Sequence, residues 1–490
     1  MPDSDSTWDV IVIGGGPPGE NAADYATKGS DRTAVIVERE LVGGECSYWA
    51  CMPSKALLRP VEVLDNARAM PGVRGIVGDA RLDVAEVLKR RDEFTHNHDD
   101  ASQVSWANEN GIDVARGHGR LAGERAVEVT AADGSTRILR ARQAVVVATG
   151  TDAAVPPVPG LREALPWTSR AATNLREVPR RVAIVGGGVV ACEAAVWLLG
   201  LGVEELTLIV RGSALLARNE PFAGQLVADR LKELGARIRF DASLERVARA
   251  YPRDTGEGHV HGGPVTLTVD SETIAVDEVI VAAGRTPSTS DLGLETVGLD
   301  KVAERNKGFL TTDDHLAVDD VEGHWLYAVG DVTGRALLTH MGKYQGRICG
   351  AVIGARAEDR PLEGARYRDV ADHDQVPQVA FTDPQVASVG LTETGARDRG
   401  IDVETVEYDL GAVAGASLLR DGYTGRAKLV IDRWSDTLVG ATFVGPEVAE
   451  LVHAATVAVV GKVTLDALWH AVPSYPTVSE VWLRLLEARS

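Results

Sequence analysis

The sequence predicts an α/β protein that contains two Rossmann-like dinucleotide-binding domains. The first observation is a short apolar strand at Asp9–Ile13, which leads into GGGPPG at residues 14–19 and then a helical stretch. The second observation is that the same order returns at residues 181–199, where a strand leads into GGG and another helix. A strand, a glycine loop and a helix are the start of the βαβ unit that binds dinucleotides. The 490 residues are enough for two to four domains.

Charge and composition exclude several classes of protein. The formal net charge of -20 and a pI of about 5.0 argue against nucleic acid or an anionic membrane as the main partner. The sequence has no run of about 18 apolar residues, so we expect no membrane span. Residues 1–6 lack the basic and apolar regions of a signal peptide. We therefore expect a cytoplasmic protein.

The first glycine loop has the parts that dinucleotide binding requires. Gly14 makes the turn, Gly16 lets a pyrophosphate approach the backbone, and Gly19 lets the helix pack on the sheet. The helix N-terminus faces the phosphates. The next strand, Thr33–Val37, ends in Glu38, where a carboxylate bonds the adenosine ribose. The alternative is a glycine loop of another α/β protein, but all five parts of the unit are present.

The second unit differs from the first at the end of its second strand. Gly186 and Gly188 lie in the glycine loop, and the strand at residues 205–210 ends in Arg211. A site specific for NAD usually has an acidic residue here, whereas an arginine can pair with the 2′-phosphate of NADP. Arg218 can assist. We predict that this unit prefers NADPH over NADH; the alternative is that Arg211 is merely a solvent-facing strand end.

Two of the four cysteines lie close together, in GGECSYWACMPSK at residues 43–55. Cys46 and Cys51 do not meet in a regular helix, because five positions separate them by roughly 7.5 Å along the axis. A disulfide needs Cα atoms about 4.4–6.8 Å apart. If the two cysteines pair, the backbone must bend, and the preceding glycines allow this. The alternative is two unrelated buried cysteines.

This motif, GG-x-C-x4-C-x-P-S-K, resembles the redox-active motif of the FAD-dependent pyridine nucleotide–disulfide oxidoreductases. That class I family includes dihydrolipoamide dehydrogenase, glutathione reductase and mercuric reductase. The resemblance implies that Gly44 lies in the FAD site and that Cys46 is the interchange thiol, which meets the substrate. Cys51 would be the flavin-side thiol that forms a charge-transfer pair with oxidised FAD, and Lys55 would lie near flavin N5. The first unit should then hold FAD and the second NAD(P)H.

Other family positions follow along the chain. Thr149 and Gly150 end the ATG motif, where the chain leaves the FAD domain, and Gly284 begins the G-R-x-P turn, where it returns. The resemblance implies that Asp331, in a second FAD motif, bonds the flavin ribitol. A helix from about Thr339 would point its N-terminus at the flavin and stabilise negative charge there.

The helix of the second unit carries Glu193 at the position of a family glutamate. By resemblance, this carboxylate pairs with Lys55 beside the flavin and the nicotinamide. The neighbouring Cys192, like Cys349, is interpreted as a small core residue.

The resemblance implies four segments and a homodimer. Residues 1–155 and 286–368 would form the FAD domain, residues 156–285 the NAD(P) domain, and residues 369–490 an α+β dimerisation domain. A proline-rich connection, VPPVPG at residues 155–160, supports the first boundary.

The C-terminal segment departs from the family pattern. Disulfide reductases carry His-Pro-Thr-x-x-Glu there, whereas this chain reads YPTVSE, with Tyr475 in place of the histidine and Glu480 in place of the glutamate. His470 is too far away along an extended segment to substitute. Lowering a thiol pKa by two units takes about 2.7 kcal/mol, and a helix N-terminus supplies at most about 2. A phenol cannot supply the positive charge of imidazolium, so we expect weak turnover of glutathione disulfide or lipoamide.

The electron acceptor therefore stays open. The main hypothesis is an NAD(P)H- and FAD-dependent disulfide oxidoreductase that reduces a small molecule at the dimer interface. Alternatives are reduction of a thiolate-bound metal ion, direct transfer from flavin to a quinone or another nucleotide, and a dihydrolipoamide dehydrogenase-like subunit of a complex. The chain lacks the C-terminal cysteine pair of mercuric reductase. His96 and His98 lack a third ligand nearby and are interpreted as a solvated helix face, so no metal site is predicted.

Overall fold

The structure is a computed structural model that describes Thr7–Arg489. Residues 1–6, on which the expectation about a signal peptide depends, lie outside the described residues. The strands are, in chain order, β1 (Thr7–Ile13), β2 (Ala34–Glu38), β3 (Ile112–Arg116), β4 (His118–Leu121), β5 (Ala126–Thr130), β6 (Thr136–Val147), β7 (Thr151–Ala153), β8 (Arg181–Val185), β9 (Glu205–Ile209), β10 (Arg237–Arg239), β11 (Leu244–Arg249), β12 (Val265–Val269), β13 (Glu272–Val276), β14 (Glu278–Val281), β15 (Arg285–Pro287), β16 (Leu326–Ala328), β17 (Pro377–Ala380), β18 (Gln385–Gly390), β19 (Val403–Asp409), β20 (Arg426–Asp432) and β21 (Thr437–Gly445).

The α-helices lie singly or in succession between these strands and after the last of them. They are α1 (Pro17–Thr27), α2 (Gly44–Tyr48), α3 (Cys51–Ala69), α4 (Arg74–Val77), α5 (Val84–Phe94), α6 (Ala101–Glu109), α7 (Ser169–Thr173), α8 (Val189–Gly200), α9 (Pro221–Glu233), α10 (Asp300–Arg305), α11 (Thr339–Ala357), α12 (Glu393–Asp398), α13 (Ala414–Leu419), α14 (Leu451–Val460), α15 (Leu465–Trp469) and α16 (Val481–Glu487). No helix of the described part of the chain is long and apolar enough to cross a membrane.

The chain forms two compact units, each assembled from three segments. The first unit comprises Met1–Met52, Asp92–Ala153 and Arg285–Asp372, and the second comprises Pro53–Arg91, Ala154–Gly284 and His373–Ser490. Each unit contains one of the two predicted glycine loops.

The first unit is built on a seven-stranded sheet in the order β3-β2-β1-β6-β5-β4, with β16 beside β6. Strands β1, β2, β3, β6 and β16 are parallel, and β5 and β4 continue the sheet antiparallel. Helices α1 and α11 pack closely on each other because α11 has small residues at the contact. A Cβ at Gly346 would lie 2.4 Å from the carbonyl oxygen of Pro18, and one at Gly350 would lie 2.6 Å from Cβ of Tyr25.

The second unit contains three sheets. The nucleotide-type sheet is parallel, in the order β10-β9-β8-β14, and a three-stranded antiparallel sheet, β11-β12-β13, accompanies it. Its main core includes Trp167 and Trp197, both almost fully buried. The C-terminal region forms a five-stranded antiparallel sheet in the order β17-β18-β21-β20-β19, and α14 and α16 contribute to the same core. This arrangement confirms the predicted fold class.

Candidate active site

The first glycine loop connects β1 to α1 and has the geometry of a phosphate cradle. Gly14 has φ +107°, and a Cβ there would lie 2.3 Å from the carbonyl oxygen of Ala148, so only glycine makes this turn. A Cβ at Gly19 would lie 2.1 Å from the carbonyl oxygen of Gly14, which explains the close helix packing. A Cβ at Gly16 would have no neighbour nearer than 3.8 Å, so the space in front of this residue is open.

Glu38, the last residue of β2, points at this loop. Its Oε2 accepts a 2.7 Å hydrogen bond from the backbone N–H of Gly15, and its Oε1 accepts one of 2.7 Å from Glu40. Burial raises the pKa of Glu38, and the two N–H groups oppose that effect. The carboxylate therefore lies at the glycine loop, as the βαβ pattern predicts.

The backbone bends between the two cysteines of the motif, as predicted for a pair that meets. Cys46 lies in the short helix α2, Cys51 is the first residue of α3, and the helix is interrupted between them at residues 49–50. Gly44 has φ +57°, and a Cβ there would lie 2.7 Å from Cα of Gly16. The cysteine motif thus packs directly on the first glycine loop.

The two cysteines are present as thiols that interact with each other. Cys51 Sγ lies 3.3 Å from Oγ1 of Thr339, the first residue of the 19-residue helix α11. The hydrogen bond with Cys51 and burial raise the pKa of the Cys46 thiol, whereas Thr339 and the charge of Lys343 lower it. Cys51 is the first residue of α3 and lies beside the first residue of α11, and a helix N-terminus favours a thiolate.

Residues 98–100 contact the cysteine motif and the residue before it, a contact that the sequence did not predict. The His98 ring stacks on Trp49, with ring centroids 4.4 Å apart and an interplanar angle of 17°. Asp100 accepts a 2.7 Å hydrogen bond from the backbone N–H of Val42. The expectation that His96 and His98 lie on a solvated helix face was wrong for His98, because residues 96–98 form a short 3-10 turn against the motif.

At Arg285 the chain returns to the first unit, and the side chain of this arginine lies near Asp331, which was predicted to bind the flavin. Asp331 Oδ2 accepts a 2.9 Å hydrogen bond from Thr151 Oγ1, and burial raises the pKa of Asp331. Arg285 donates to the same Thr151 hydroxyl, and its Nε lies 3.7 Å from Asp331 Oδ2. Arg285 was not predicted as a site residue, although it is the arginine of the G-R-x-P motif. Thr149 Oγ1 is buried and has no hydrogen-bond partner among the described residues, and Gly150 follows it with φ +70°.

In the second unit, Lys55 and Glu193 form an ion pair. Lys55 Nζ lies 2.8 Å from Glu193 Oε2, where the family resemblance places this pairing. The other carboxylate oxygen, Oε1, accepts a 2.8 Å hydrogen bond from the backbone N–H of Phe381. Lys55 Nζ also lies 4.8 Å from the centroid of the Phe381 ring. Phe381 was not predicted as a site residue; it lies in the segment that opens the C-terminal domain, where no sequence motif indicates a site.

The second glycine loop repeats the geometry of the first. A Cβ at Gly186 would lie 2.2 Å from the carbonyl oxygen of Ala282, whereas a Cβ at Gly188 would have no atom within 4 Å. The carbonyl of Gly284 accepts a hydrogen bond from the N–H of Ala154. Arg211 and Arg218 are exposed, and neither side chain has an ion pair or hydrogen bond within residues 7–489.

The C-terminal segment leaves its tyrosine in solvent. The Tyr475 side chain is 75% exposed. Glu480 is buried; its Oε1 accepts a 2.6 Å hydrogen bond from Arg484, and its Oε2 has no hydrogen-bond partner in the described chain. One buried carboxylate oxygen is thus available at the position of the family glutamate.

These features fit a dinucleotide in each unit. Open space lies in front of Gly16 and Gly188, and the buried hydroxyl of Thr149 has no protein partner. A buried polar atom without a partner is costly unless a ligand or water satisfies it.

Two protein-family models match this chain and identify its family. The model for the pyridine nucleotide-disulphide oxidoreductases matches residues 8–346, and the model for their dimerisation domain matches residues 376–486. The chain belongs to the pyridine nucleotide-disulphide oxidoreductase family. It is therefore an enzyme of this family that uses FAD and NAD(P)H, and the resemblance inferred from the cysteine motif is confirmed.

Curated relatives of this pyridine nucleotide-disulphide oxidoreductase span almost its whole length. It is 30% identical over 477 residues to a dihydrolipoyl dehydrogenase of Chlamydia muridarum, covering 97% of this chain and 95% of that protein. It is also 30% identical over 478 residues to a mercuric reductase of Staphylococcus aureus, covering 97% and 81%. The two relatives carry different names, so the comparison gives the family but no acceptor.

Solved structures share the fold. The Cu(II) complex of the HOCl-induced flavoprotein disulfide reductase RclA from Escherichia coli has a TM-score of 0.81 at 22% identity, covering 98% of this chain and 99% of that one. LpdA from Mycobacterium tuberculosis has a TM-score of 0.80 at 24% identity, with coverage of 98% and 99%.

Proposed function

We propose that this enzyme passes electrons from NADPH, through FAD and the Cys46–Cys51 pair, to a small-molecule acceptor. The observation that carries the proposal is the position of Cys51, hydrogen bonded to Thr339 at the start of α11. A thiolate at a helix N-terminus is stabilised by the helix dipole and by the hydroxyl. A pair built in this way favours redox cycling over a structural role.

The residues of the first glycine loop would hold FAD. Bound FAD would supply a two-electron carrier between the nicotinamide and the disulfide. Gly14, Gly16 and Gly19 would shape the pyrophosphate site, and Glu38 would bond the adenosine ribose. Gly44 would let the cysteine motif approach this site.

Other residues of the chain would complete the two cofactor sites. Asp331 would bond the ribitol, and Thr149 and Gly150 would line the flavin. In the second unit, Gly186, Gly188 and Gly284 would surround the nicotinamide nucleotide.

The preference for NADPH is supported by two free arginines in the segment between β9 and α9. Arg211 and Arg218 are exposed and unpaired in the described chain, so both guanidinium groups are available to a phosphate. The acidic residue that would repel a 2′-phosphate is absent at position 211.

A homodimer is supported by the C-terminal region. Helix α14 buries one face on the five-stranded sheet, while large side chains of the segment 457–475 stay exposed. These are Val457, Val460, Trp469, Val472 and Tyr475. A second copy of this chain, joined through its dimerisation domain, would cover them. We also place the enzyme in the cytoplasm, where a reducing environment suits a cysteine pair that cycles.

The identity of the acceptor depends on Tyr475. A phenol cannot provide the imidazolium that would stabilise a Cys46 thiolate, so ordinary disulfides should turn over slowly. A soft metal ion bound by thiolates is the second candidate, because metal binding displaces the thiol proton without an acid–base residue. Similarity to a mercuric reductase is consistent with this candidate. A quinone, or a role as a dihydrolipoamide dehydrogenase-like subunit of a complex, would be the remaining alternatives.

Anaerobic titration with NADPH tests the proposal. We expect a long-wavelength absorbance band after two electrons, because the Cys51 thiolate would then face oxidised flavin. Simple flavin bleaching would show that the cysteines lie outside the electron path. The variant Cys46→Ser should lose disulfide and metal reduction and keep quinone reduction, whereas Cys192→Ser, at a buried core cysteine, should behave as wild type. Co-purification of a larger assembly would favour the subunit alternative.

A further inference from the structure

Arg230 of α9 links two carboxylates from different elements of the second unit. Its Nε lies 2.7 Å from Oδ2 of Asp383, in the loop between β17 and β18. Its Nη2 lies 2.8 Å from Oδ1 of Asp65, on α3. Arg420 Nη1 lies 2.8 Å from the other oxygen of Asp65. The four side chains are each only 16–27% exposed, so solvent screens this cluster weakly.

Asp383 lies two residues after Phe381, in the same loop. The backbone N–H of Phe381 donates to Glu193 Oε1 at 2.8 Å, and its ring lies 4.8 Å from Lys55 Nζ. The loop therefore has one contact with Arg230 and two with the Lys55–Glu193 pair. Because the two ends of this short segment are so close, a shift of Asp383 must move Phe381.

Electrostatics make Arg230 necessary for this arrangement. Burial raises the pKa of Asp383, and the charge and hydrogen bond of Arg230 lower it. The charge of Asp65 acts on Asp383 in the same direction as burial. Without the guanidinium, Asp383 would lose its direct partner in a poorly solvated place, and only the charge of Arg420, which pairs with Asp65, would remain to offset the two carboxylates. A buried charge that loses its partner is strongly destabilising.

The residue that follows the loop, Gln385 at the start of β18, has contacts of its own. Gln385 Nε2 donates to Glu62 Oε1 of α3 at 3.1 Å, and Gln385 Oε1 accepts from the N–H of Ala449 at 3.1 Å. Loss of the Arg230–Asp383 contact would therefore displace the loop rather than unfold it.

We propose that Arg230 and Asp383 are positioning residues for the nicotinamide side of the reaction, which they serve by holding Phe381 against the Lys55–Glu193 pair. This inference rests on the proposed role of that pair and is independent of the acceptor. Reacting groups that move by about 1 Å can lose up to about a hundredfold in rate. A displaced loop should therefore slow transfer from NADPH and leave NADPH binding, which uses the glycine loop and Arg211, almost unchanged.

The experiment compares flavin reduction by NADPH in stopped flow for the variants Asp383→Ala, Arg230→Met, Arg230→Lys and the double variant Arg230→Met/Asp383→Ala. We expect about tenfold slower reduction in the first two, with KM for NADPH within twofold of wild type. Arg230→Lys should recover most of the rate, because a lysine still pairs with Asp383. The double variant should be no slower than the slower single variant, because both changes break one contact.

Arg180→Met is the matched control, because Arg180 is an exposed arginine of the same unit that pairs with Glu204, and it should reduce at the wild-type rate. Asp383→Ala leaves Arg230 paired with Asp65, so it decides the question if Arg230→Met fails to fold. Wild-type reduction in folded Asp383→Ala would overturn the inference, as would equal slowing in Arg180→Met.

The variant Glu193→Gln distinguishes failure of this inference from failure of the proposed role of the Lys55–Glu193 pair. If its flavin is reduced by NADPH at the wild-type rate, the proposed role of the pair fails. If its flavin is reduced slowly while that of Asp383→Ala is reduced at the wild-type rate, only this inference fails.

Discussion

Lys55 Nζ lies 2.8 Å from Glu193 Oε2, and the Glu193 side chain is 5% exposed against 36% for Lys55. Both oxygens of this carboxylate are committed, one to the ammonium and the other to the backbone N–H of Phe381. The pair thus anchors a buried negative charge between α3, α8 and the segment before β18.

Removing the carboxylate should slow the enzyme more than it destabilises the fold. Breaking a fully buried pair costs about 3–5 kcal/mol, but Lys55 can reach solvent, so we expect about 1–2 kcal/mol for Glu193→Ala. Flavin reduction by NADPH should fall about 10- to 100-fold because Lys55 and Phe381 lose their common partner. Stopped-flow reduction and thermal unfolding would measure the two effects. Wild-type reduction in Glu193→Ala would contradict the proposed role.

Thr339 should control the reactivity of the reduced thiols. The hydrogen bond of its hydroxyl to the thiol pair lowers the pKa of Cys46, so Thr339→Val should raise that pKa. A hydrogen bond to a charged group contributes about 1.5–3 kcal/mol, so alkylation of the reduced enzyme by iodoacetamide at pH 7.5 should slow about tenfold. The pH profile of alkylation should move to higher pH. Thr339→Ser keeps the hydroxyl and should retain the wild-type profile; an unchanged profile in the valine variant would count against this role.

The two unpaired arginines should set the nucleotide preference. Arg211→Ser, alone and with Arg218→Ala, removes the groups that would pair with a 2′-phosphate. We expect kcat/KM for NADPH to fall about 10- to 50-fold, with kcat/KM for NADH within about twofold of wild type. Steady-state kinetics with both nucleotides measures this. A wild-type enzyme that uses NADH as well as NADPH would show that Arg211 is a solvent-facing strand end.

Restoring the family histidine should improve disulfide reduction. Tyr475→His introduces an imidazole into a segment where the buried Oε2 of Glu480 has no partner among the described residues. General acid–base help is worth about 10²–10⁴ in rate, so turnover of lipoamide or glutathione disulfide should rise at least tenfold. The rate of flavin reduction by NADPH is the control and should not change. If both substrates turn over equally well before and after the change, Tyr475 does not limit the reaction.

Asp369 should make the stability of the enzyme depend on pH. Burial raises the pKa of Asp369 to about 6, and its Oδ1 has no hydrogen-bond partner in the described chain. The unfolded value is about 3.9, so the folded state binds the proton more tightly. The contribution of Asp369 to stability is therefore fully present below about pH 4 and is lost as the pH rises through about 6, with a change of order 3 kcal/mol.

Thermal unfolding of Asp369→Asn from pH 4 to pH 8 tests this sign. The amide can still accept the hydrogen bond that Gln345 Nε2 donates to Asp369 Oδ2 at 2.9 Å. The Tm of the variant should therefore gain on the wild-type Tm by a few degrees as the pH rises. Asp320→Asn, at an exposed position, is the control and should follow the wild type. A constant difference between variant and wild type would contradict the expectation.

The sequence by itself determined the structural elements that depend only on residues close to one another along the chain. The strand, glycine loop and helix of each βαβ unit could be predicted because a left-handed turn at Gly14 and apolar β-branched strands are local requirements. The bend between Cys46 and Cys51 was predicted on the condition that the two cysteines pair, because a regular helix separates these positions too widely. The replacement of the family histidine by Tyr475 could also be read from the sequence, because it concerns the identity of a single residue in a motif.

Only the tertiary structure decided which distant groups meet. Phe381 reaches Glu193 across 188 positions of sequence, and the Arg230–Asp383 contact spans 153. Such contacts carry no periodic pattern, because they depend on how separate elements pack rather than on the residues beside them. The stacking of His98 on Trp49 was not predicted for the same reason. A polar residue such as histidine is expected in solvent, and whether another side chain covers it depends on the tertiary structure.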